Sequence, residues 1–249
     1  MSETARMWME LAFNVAYLLI IWALVIAMAL RLPHLPADQK PLARLFIWAF
    51  GLLALGDTGH VGFRVLAFAQ GDINTTVSLL GREVGLVGLG ALSTAVTVTL
   101  FYVIMVMIWH TRFGKPYGWL GYLLFTAAAV RLLVMIPAAN QWNNVVPPQP
   151  WSLFRNLPLM VLGLGAAFLI LRDARAVKDR VFTGIGVCIL VSYLFYTPVI
   201  LFVQVAPSVG MLMIPKTLAY VAIAVIAYSN LFRPGAAQPS TPSQPAPTT

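Results

Sequence analysis

Residues 45–68 read LFIWAFGLLALGDTGHVGFRVLAF, an apolar segment long enough to cross a bilayer as a helix. It carries Asp57, His60 and Arg64, spaced by three and then four residues, so a helix stacks all three on one face. Ionisable groups inside a membrane helix are costly, and each needs a partner or water. The segment therefore predicts a membrane helix with a polar site along one side.

The composition of the whole chain is that of an integral membrane protein. Of its 249 residues 60% are hydrophobic and 10% are charged, with a mean hydropathy of +0.84. Soluble domains carry about 25% charged residues, so a soluble class is excluded. At about 20 residues per span, the length accommodates about seven helices. The single cysteine, Cys188, excludes an intrachain disulfide, and no set of residues predicts a metal site or a cofactor.

Seven apolar segments predict an all-α, polytopic membrane domain over residues 1–233. The predicted helices cover residues 8–30, 45–68, 82–109, 119–138, 152–171, 181–203 and 209–232, and Tyr196-Thr197-Pro198 interrupts the sixth. Residues 234–249 consist mainly of Pro, Ser, Thr, Ala and Gln, which predicts a disordered tail.

Lysines and arginines concentrate in alternate connections between these helices. They follow the first, third, fifth and seventh helices and are nearly absent after the second, fourth and sixth. The positive-inside rule then predicts an N-terminus outside and a C-terminus in the cytoplasm, in a plasma membrane or bacterial inner membrane. It also accounts for the net charge of +8 without a nucleic-acid partner.

The remaining charges fall in the predicted outer half of the bundle. At about 1.5 Å per residue, Asp57 lies roughly 18 Å from the cytoplasmic end of its helix, just past the midplane. The outer half contains three acids and four cations: Glu10, Asp57 and Glu83, and Arg64, Arg131, Arg155 and Lys216. Buried cations in excess are stable only with water, a neutralised lysine or an anionic guest. The pattern predicts an outward-facing polar cavity that holds a lipid or small anionic ligand.

Several functions fit such a cavity. In an acid–base membrane enzyme acting on a lipid or anionic amphiphile, His60 would be the acid or base and Asp57 its partner. The charged group of the substrate would meet a ligand-binding set: Arg64, Arg131, Lys216, Arg155 and Glu83. The alternative is a receptor-like bundle that binds a ligand without turnover, and a proton-coupled transporter comes third because no polar path continues to the cytoplasm. A purely structural ion network is the non-functional interpretation.

Three strings in the chain resemble those of a group of seven-helix bacterial membrane proteins that have no established activity. They are GDTGHVGFR at 56–64, RNLP at 155–158 and GMLMIPKT at 210–217. The resemblance covers the helical bundle and not the tail. It implies the fold and transfers no function.

The chain is also similar to the microbial rhodopsins in its helix number, its predicted topology and a lysine, Lys216, in the seventh helix. That resemblance would imply a bound retinal with Asp57 as its counter-ion. The family, however, has a carboxylate four residues before its lysine, where this chain has Leu212, and an acidic pair in helix 3, where this chain has serine and threonines. A retinal pigment is therefore the remotest of the alternatives.

Overall fold

The computed structural model describes residues 3–79, 82–144 and 148–233. Its described residues form seven α-helices: α1 Glu3–Arg31, α2 Lys40–Ala69, α3 Leu86–Phe113, α4 Gly118–Val134, α5 Trp151–Ala176, α6 Arg180–Phe202 and α7 Met213–Ala227. Six helical segments are long and apolar enough to cross a membrane, and α4, with 17 residues, is shorter. The predicted helical, membrane-embedded class is confirmed. The predicted tail, residues 234–249, lies outside the described residues.

A two-stranded hairpin interrupts the otherwise helical fold between α2 and α3. Strand β1, Thr76–Leu79, pairs antiparallel with β2, Arg82–Gly85, and Val77 lies opposite Val84. The prediction that helix 3 begins at Arg82 is therefore wrong, because α3 begins at Leu86. Gly85 has an extended backbone and donates its N–H to the Asn143 side chain over 2.8 Å, so the chain enters α3 only after it.

The bundle has two chemically different ends. We call the end that carries β1 and β2 the hairpin end, where α2, α4 and α6 finish. The opposite basic end exposes a group of cations on the helix ends and connections there: Arg31, Arg44, Lys115, Arg172, Arg175, Lys178, Arg180 and Arg233. The cations that the sequence places in alternate connections thus lie together at one end of the bundle.

Helix α6 runs without a break through Pro198, so the predicted interruption at residues 196–198 is wrong. Proline cannot donate to the carbonyl four residues earlier, here that of Leu194, but such a proline is tolerated within a membrane helix. The Thr197 hydroxyl donates to the preceding carbonyl, that of Tyr193, over 2.8 Å. The helix keeps its course and places Tyr193 and Tyr196 on consecutive turns.

The ends of three other helices differ from the prediction. Helix α4 ends at Val134 and not at residue 138, since Pro137 has no N–H to continue it, and the Asn140 side chain donates to the Val134 carbonyl over 2.7 Å. Helix α5 continues to Ala176. A 3₁₀ helix, Pro207–Leu212, precedes α7 and a π-helical turn, Tyr228–Phe232, follows it. Lys216 consequently lies in the first turn of α7.

Helices α2 and α3 approach each other through small residues. A Cβ added to Gly56 would overlap the Thr97 side chain, and one added to Gly90 would lie 2.9 Å from the His60 Cα. Small residues are the usual means of close helix contact in membranes, where the hydrophobic effect gives no advantage to association. This contact fixes the α2 face that carries Asp57 and His60 against α3.

Two buried carboxylates, those of Asp173 and Asp179, join helix ends at the basic end. Arg112 donates to Asp179 over 2.8 Å and 3.0 Å, and Asp179 also accepts the Phe182 N–H as the N-cap of α6. Trp109 donates to Asp173 over 2.7 Å, joining α3 to α5. These carboxylates are satisfied within the structure, so they serve the packing of the helix ends.

Candidate functional site

A charged cluster lies inside the bundle, on the hairpin side of its middle. It consists of Asp57, His60 and Arg64 from α2, Arg131 from α4 and Lys216 from α7. His60 interacts electrostatically with Arg64, Asp57 and Lys216, and Lys216 interacts with Asp57 and Arg131. Three helices far apart in the sequence therefore bring their ionisable groups together.

Both carboxylate oxygens of Asp57 have protein partners. The Tyr17 hydroxyl donates to Oδ2 over 2.7 Å, and the Thr94 hydroxyl donates to Oδ1 over 2.6 Å. A second bond from α1 lies one turn away, where Trp22 Nε1 donates to Thr58 over 3.0 Å. Asp57 is thus fixed by α1 and α3, and its hydrogen bonds go to hydroxyl groups and not to the cations of the cluster.

His60 lies against α3 but does not form the predicted dyad with Asp57 through a hydrogen bond. Its backbone packs on Gly90, and its Nδ1 is buried without a hydrogen-bond partner among the described residues. A buried ring nitrogen without a partner is costly, and most such atoms in folded proteins are satisfied. The two side chains interact through their charges alone.

The Lys216 ammonium lies on two aromatic faces. Its Nζ is 4.3 Å from the centre of the Tyr196 ring and 5.6 Å from that of Tyr220. In the described structure no carboxylate lies within ion-pair distance of this nitrogen. Such cation–π contacts contribute about 0.5–2 kcal/mol, well below the cost of desolvating an ammonium group. The residue as a whole is half-buried, and its ammonium lies between the aromatic side chains of α6 and α7.

Arg131 is the most deeply buried cation of the cluster, at 2% exposed. Its Nε donates to the Arg155 carbonyl over 3.0 Å, and a terminal nitrogen donates to the Thr99 hydroxyl over 2.7 Å. Both acceptors are neutral, so these bonds satisfy two of its donors without balancing its charge. Arg131 therefore adds a second positive charge near that of Lys216, which itself interacts with Asp57.

Four tyrosines lie near these cations: Tyr102, Tyr193, Tyr196 and Tyr220. The hydroxyls of Tyr102 and Tyr220 are 3.0 Å apart. Tyr193 donates to the Leu159 carbonyl over 2.8 Å, and Tyr196 donates to Asn156 Oδ1 over 3.0 Å. Their rings and hydroxyls give the cluster a wall that is both aromatic and polar.

Two predicted ligand-binding residues lie outside the cluster. The Arg155 guanidinium lies 4.3 Å from the centre of the Trp142 ring and close enough to Arg131 for their charges to interact.

Glu83 is exposed on β2, where it accepts a 2.8 Å hydrogen bond from Thr76. It was predicted in the first turn of helix 3, and the hairpin removes it from the bundle. The side chain of Glu10 lies outside the part that the structure describes.

Sequence reasoning missed the aromatic and hydroxyl partners of the site. A usable signal existed for Tyr220, which follows Lys216 by one helical turn and so shares its face. Tyr17 belongs to the polar edge of α1, but nothing in the sequence pairs it with Asp57. The contacts of Tyr193 and Tyr196 depend on the continuous path of α6 through Pro198, where the sequence had predicted an interruption.

Chemically, the cluster offers one imidazole, one ammonium and two guanidinium groups beside a single hydrogen-bonded carboxylate. Among the described residues no group of three or more His, Cys, Asp and Glu is placed to hold a metal ion. The arrangement can bind a negative group, and it places His60 where it can exchange a proton with such a group.

The chain matches no protein-family model, and no curated protein or solved structure matches it at a significant level.

Proposed function

We propose that this protein binds an anionic amphiphile, with the head group held in the charged cluster by Lys216. The observation that carries the proposal is the Lys216 ammonium, which lies on two tyrosine rings and has no carboxylate within ion-pair distance in the described structure. Arg131 adds a second positive charge, and its hydrogen bonds to Arg155 and Thr99 go to neutral oxygens that do not balance it. A carboxylate or phosphate head group would supply the missing negative charge through charge-assisted hydrogen bonds.

Asp57 contributes selectivity in this proposal. Its two oxygens accept hydrogen bonds from Tyr17 and Thr94, and among the described residues they lie beyond ion-pair distance of the Lys216 ammonium. A cationic ligand would meet Arg131 and Lys216 at short range and be repelled. The site is therefore proposed to discriminate by the sign of the head group.

A set of ligands with one alkyl chain and three head groups tests this proposal. Purified protein in nanodiscs is heated with a long-chain fatty acid, the matching primary alcohol or the matching trimethylammonium compound. We expect the fatty acid to raise the melting temperature most, because ligand that binds only the folded state stabilises it by about 2.7 kcal/mol at 100 times Kd. A charge-assisted contact of about 1.5–3 kcal/mol gives a preference of about 10- to 100-fold over the alcohol.

Two variants make the test specific to the cluster. Lys216→Met should abolish the preference for the acid, whereas Lys115→Met, at an exposed position of the basic end, should leave it unchanged. Equal stabilisation of the unmodified protein by acid and alcohol would refute the proposal, as would a Lys216→Met protein that still prefers the acid.

An acid–base enzyme acting on the same kind of ligand is the second candidate. It is favoured by the partnerless Nδ1 of His60, which leaves one ring nitrogen available for proton exchange after a small movement. The lack of a hydrogen bond from His60 to the Asp57 carboxylate among the described residues weighs against it. Incubation with a lipid extract should give a product that is absent with His60→Gln; turnover retained in that variant would exclude His60 from the chemistry.

For the orientation, we propose that the basic end faces the cytoplasm of a bacterial inner membrane. The exposed cations of that end and the positive-inside rule support this assignment. The hairpin end then faces outward, and the charged cluster is reached from that side or from the lipid.

A further inference from the structure

A shallow apolar groove runs along the outside of the bundle where α5 meets α6. It has a volume of about 410 Å³ and six lining residues: Leu164, Leu190, Tyr193, Leu194, Thr197 and Pro198. Three of these residues are exposed: Leu194 at 68%, Leu190 at 40% and Leu164 at 39%. In a membrane-embedded bundle, an apolar surface of this kind faces the hydrocarbon of the bilayer.

Gly163 provides the space in which Tyr193, one of the lining residues, crosses between α5 and α6. Gly163 on α5 lies directly against the Tyr193 hydroxyl, and a Cβ there would overlap it. Tyr193 can therefore cross the α5–α6 contact and donate to the Leu159 carbonyl. Pro198 and Thr197 form the wall next to it on α6. The floor of the groove is thus the side of a single buried tyrosine, 3% exposed.

The same tyrosine connects the groove to the charged cluster. The ring of Tyr193 lies 5.5 Å from that of Tyr102 and 6.4 Å from that of Tyr196, centre to centre. The Tyr196 ring is in turn the one that lies 4.3 Å from Lys216 Nζ. An apolar surface open to lipid and the Lys216 ammonium are therefore separated by two tyrosines on consecutive turns of α6.

We infer that this groove holds the alkyl chain of the anionic amphiphile, and that the ligand enters sideways between α5 and α6. The inference rests on the proposed function, because it joins the groove to the head-group site at Lys216. The groove supplies apolar contact and Lys216 supplies the opposite charge, the two requirements of a single-chain anionic lipid. Its volume lies within the range of about 300–1,000 Å³ typical of small-molecule sites.

Entry at this position requires the separation of few polar contacts. Tyr193 and Tyr196 each close α6 against α5 with one hydrogen bond, to the Leu159 carbonyl and to Asn156 Oδ1. A carboxylate or phosphate passing between the helices can accept a hydrogen bond from either hydroxyl while that contact is open. The head group would remain hydrogen-bonded on its way from the lipid to Lys216.

Photocrosslinking locates the alkyl chain of the bound ligand directly. The probe is a long-chain fatty acid with a diazirine in its alkyl chain, applied to the full-length protein in nanodiscs, followed by peptide mapping. We expect crosslinks on α5 and α6 around Leu164 and Leu194. An excess of unlabelled fatty acid should suppress them, and the matching alcohol should not.

Filling the groove gives an independent measurement. Leu194→Trp should weaken binding of a long-chain fatty acid about tenfold, because several methylenes lose their apolar contact, and should leave binding of a short-chain acid unchanged. Val191→Trp is the matched control, since Val191 is exposed on the same helix and does not line the groove. Both substitutions are at exposed positions, so folding is expected to survive.

Each outcome separates the groove from the head-group site. If the acid is still preferred to the alcohol but crosslinks map elsewhere and Leu194→Trp binds normally, the groove is refuted and the proposed function stands. If Lys216→Met leaves a groove crosslink unchanged, the inference is overturned, because the chain and the head group then belong to different ligands. If acid and alcohol bind equally, both proposals fail.

Discussion

The Tyr17 hydroxyl and the Asp57 carboxylate are joined by a 2.7 Å hydrogen bond that ties α1 to α2 at the level of the charged cluster. Helix α1 is otherwise one of the less buried helices, because only 22% of the residues in its apolar membrane-crossing stretch are buried inside the bundle. A hydrogen bond to a carboxylate is among the stronger ones in proteins. The position of α1 therefore depends on the same carboxylate that lies beside Lys216.

Tyr17→Phe tests this tie. Loss of the donor should destabilise the protein by about 1–3 kcal/mol, since it leaves one oxygen of a part-buried carboxylate unsatisfied. The measurement is thermal unfolding in a single detergent. Tyr122→Phe is the control, because Tyr122 is 65% exposed, and it should change the stability by less than about 0.5 kcal/mol. Equal stabilities of the two variants would show that the bond contributes nothing.

The close approach of α2 and α3 predicts a difference between two glycines of one helix. Gly56→Ala should destabilise by about 1–3 kcal/mol or prevent folding, because the new methyl group overlaps Thr97. Gly62→Ala meets nothing within 4 Å and should stabilise the helix by about 0.5–1 kcal/mol. Yield of monodisperse protein and melting temperature report both. A Gly56→Ala protein as stable as the parent would disprove this packing.

At the basic end, the Arg112–Asp179 pair should be sensitive to the removal of one partner. The two side chains are 11% and 4% exposed. Arg112→Met leaves a buried carboxylate without its cation and should cost about 3–5 kcal/mol. Arg175→Met, at an exposed position, should cost less than about 0.5 kcal/mol. Chemical unfolding compares them, and similar losses in both variants would contradict the assignment of a buried pair.

The proposed orientation predicts which end of the bundle reacts with an impermeant thiol reagent in intact cells. With Cys188 replaced by alanine, Ser208→Cys at the hairpin end should be labelled directly. Lys115→Cys at the basic end should be labelled only after the cells are permeabilised. Both positions are exposed, so reactivity reports the side of the membrane. The reverse pattern would invert the orientation.

The helices could be predicted from the sequence because each is a long apolar segment bounded by polar connections. The hairpin could not, since residues 76–79 and 82–85 are too short for their alternation to outweigh the neighbouring helices. Pro198 misled in the other direction. A proline usually breaks a helix, but α6 continues through Pro198, as helices within a membrane can.

The ionisable residues of the candidate site could be predicted from the sequence, but the side chains that contact them could not. Asp57, His60 and Arg64 are found together because helical spacing is local, and the meeting with Arg131 and Lys216 followed from a depth estimate. Side-chain contacts depend on helix rotation and crossing angle, which the sequence does not encode locally. Hydroxyl donors such as Thr94 therefore could not be assigned to Asp57, and Glu83 was misplaced together with the start of α3.

Helix α4, the 17-residue segment Gly118–Val134, has a consequence for the surrounding bilayer. At about 1.5 Å per residue it is about 25 Å long, which is shorter than a hydrocarbon core of about 30 Å. Trp119 and Ile136, close to its two ends, are 78% and 75% exposed, so lipid must meet this helix directly. The bilayer is therefore expected to thin beside α4, which would favour residence of the protein in thinner membranes.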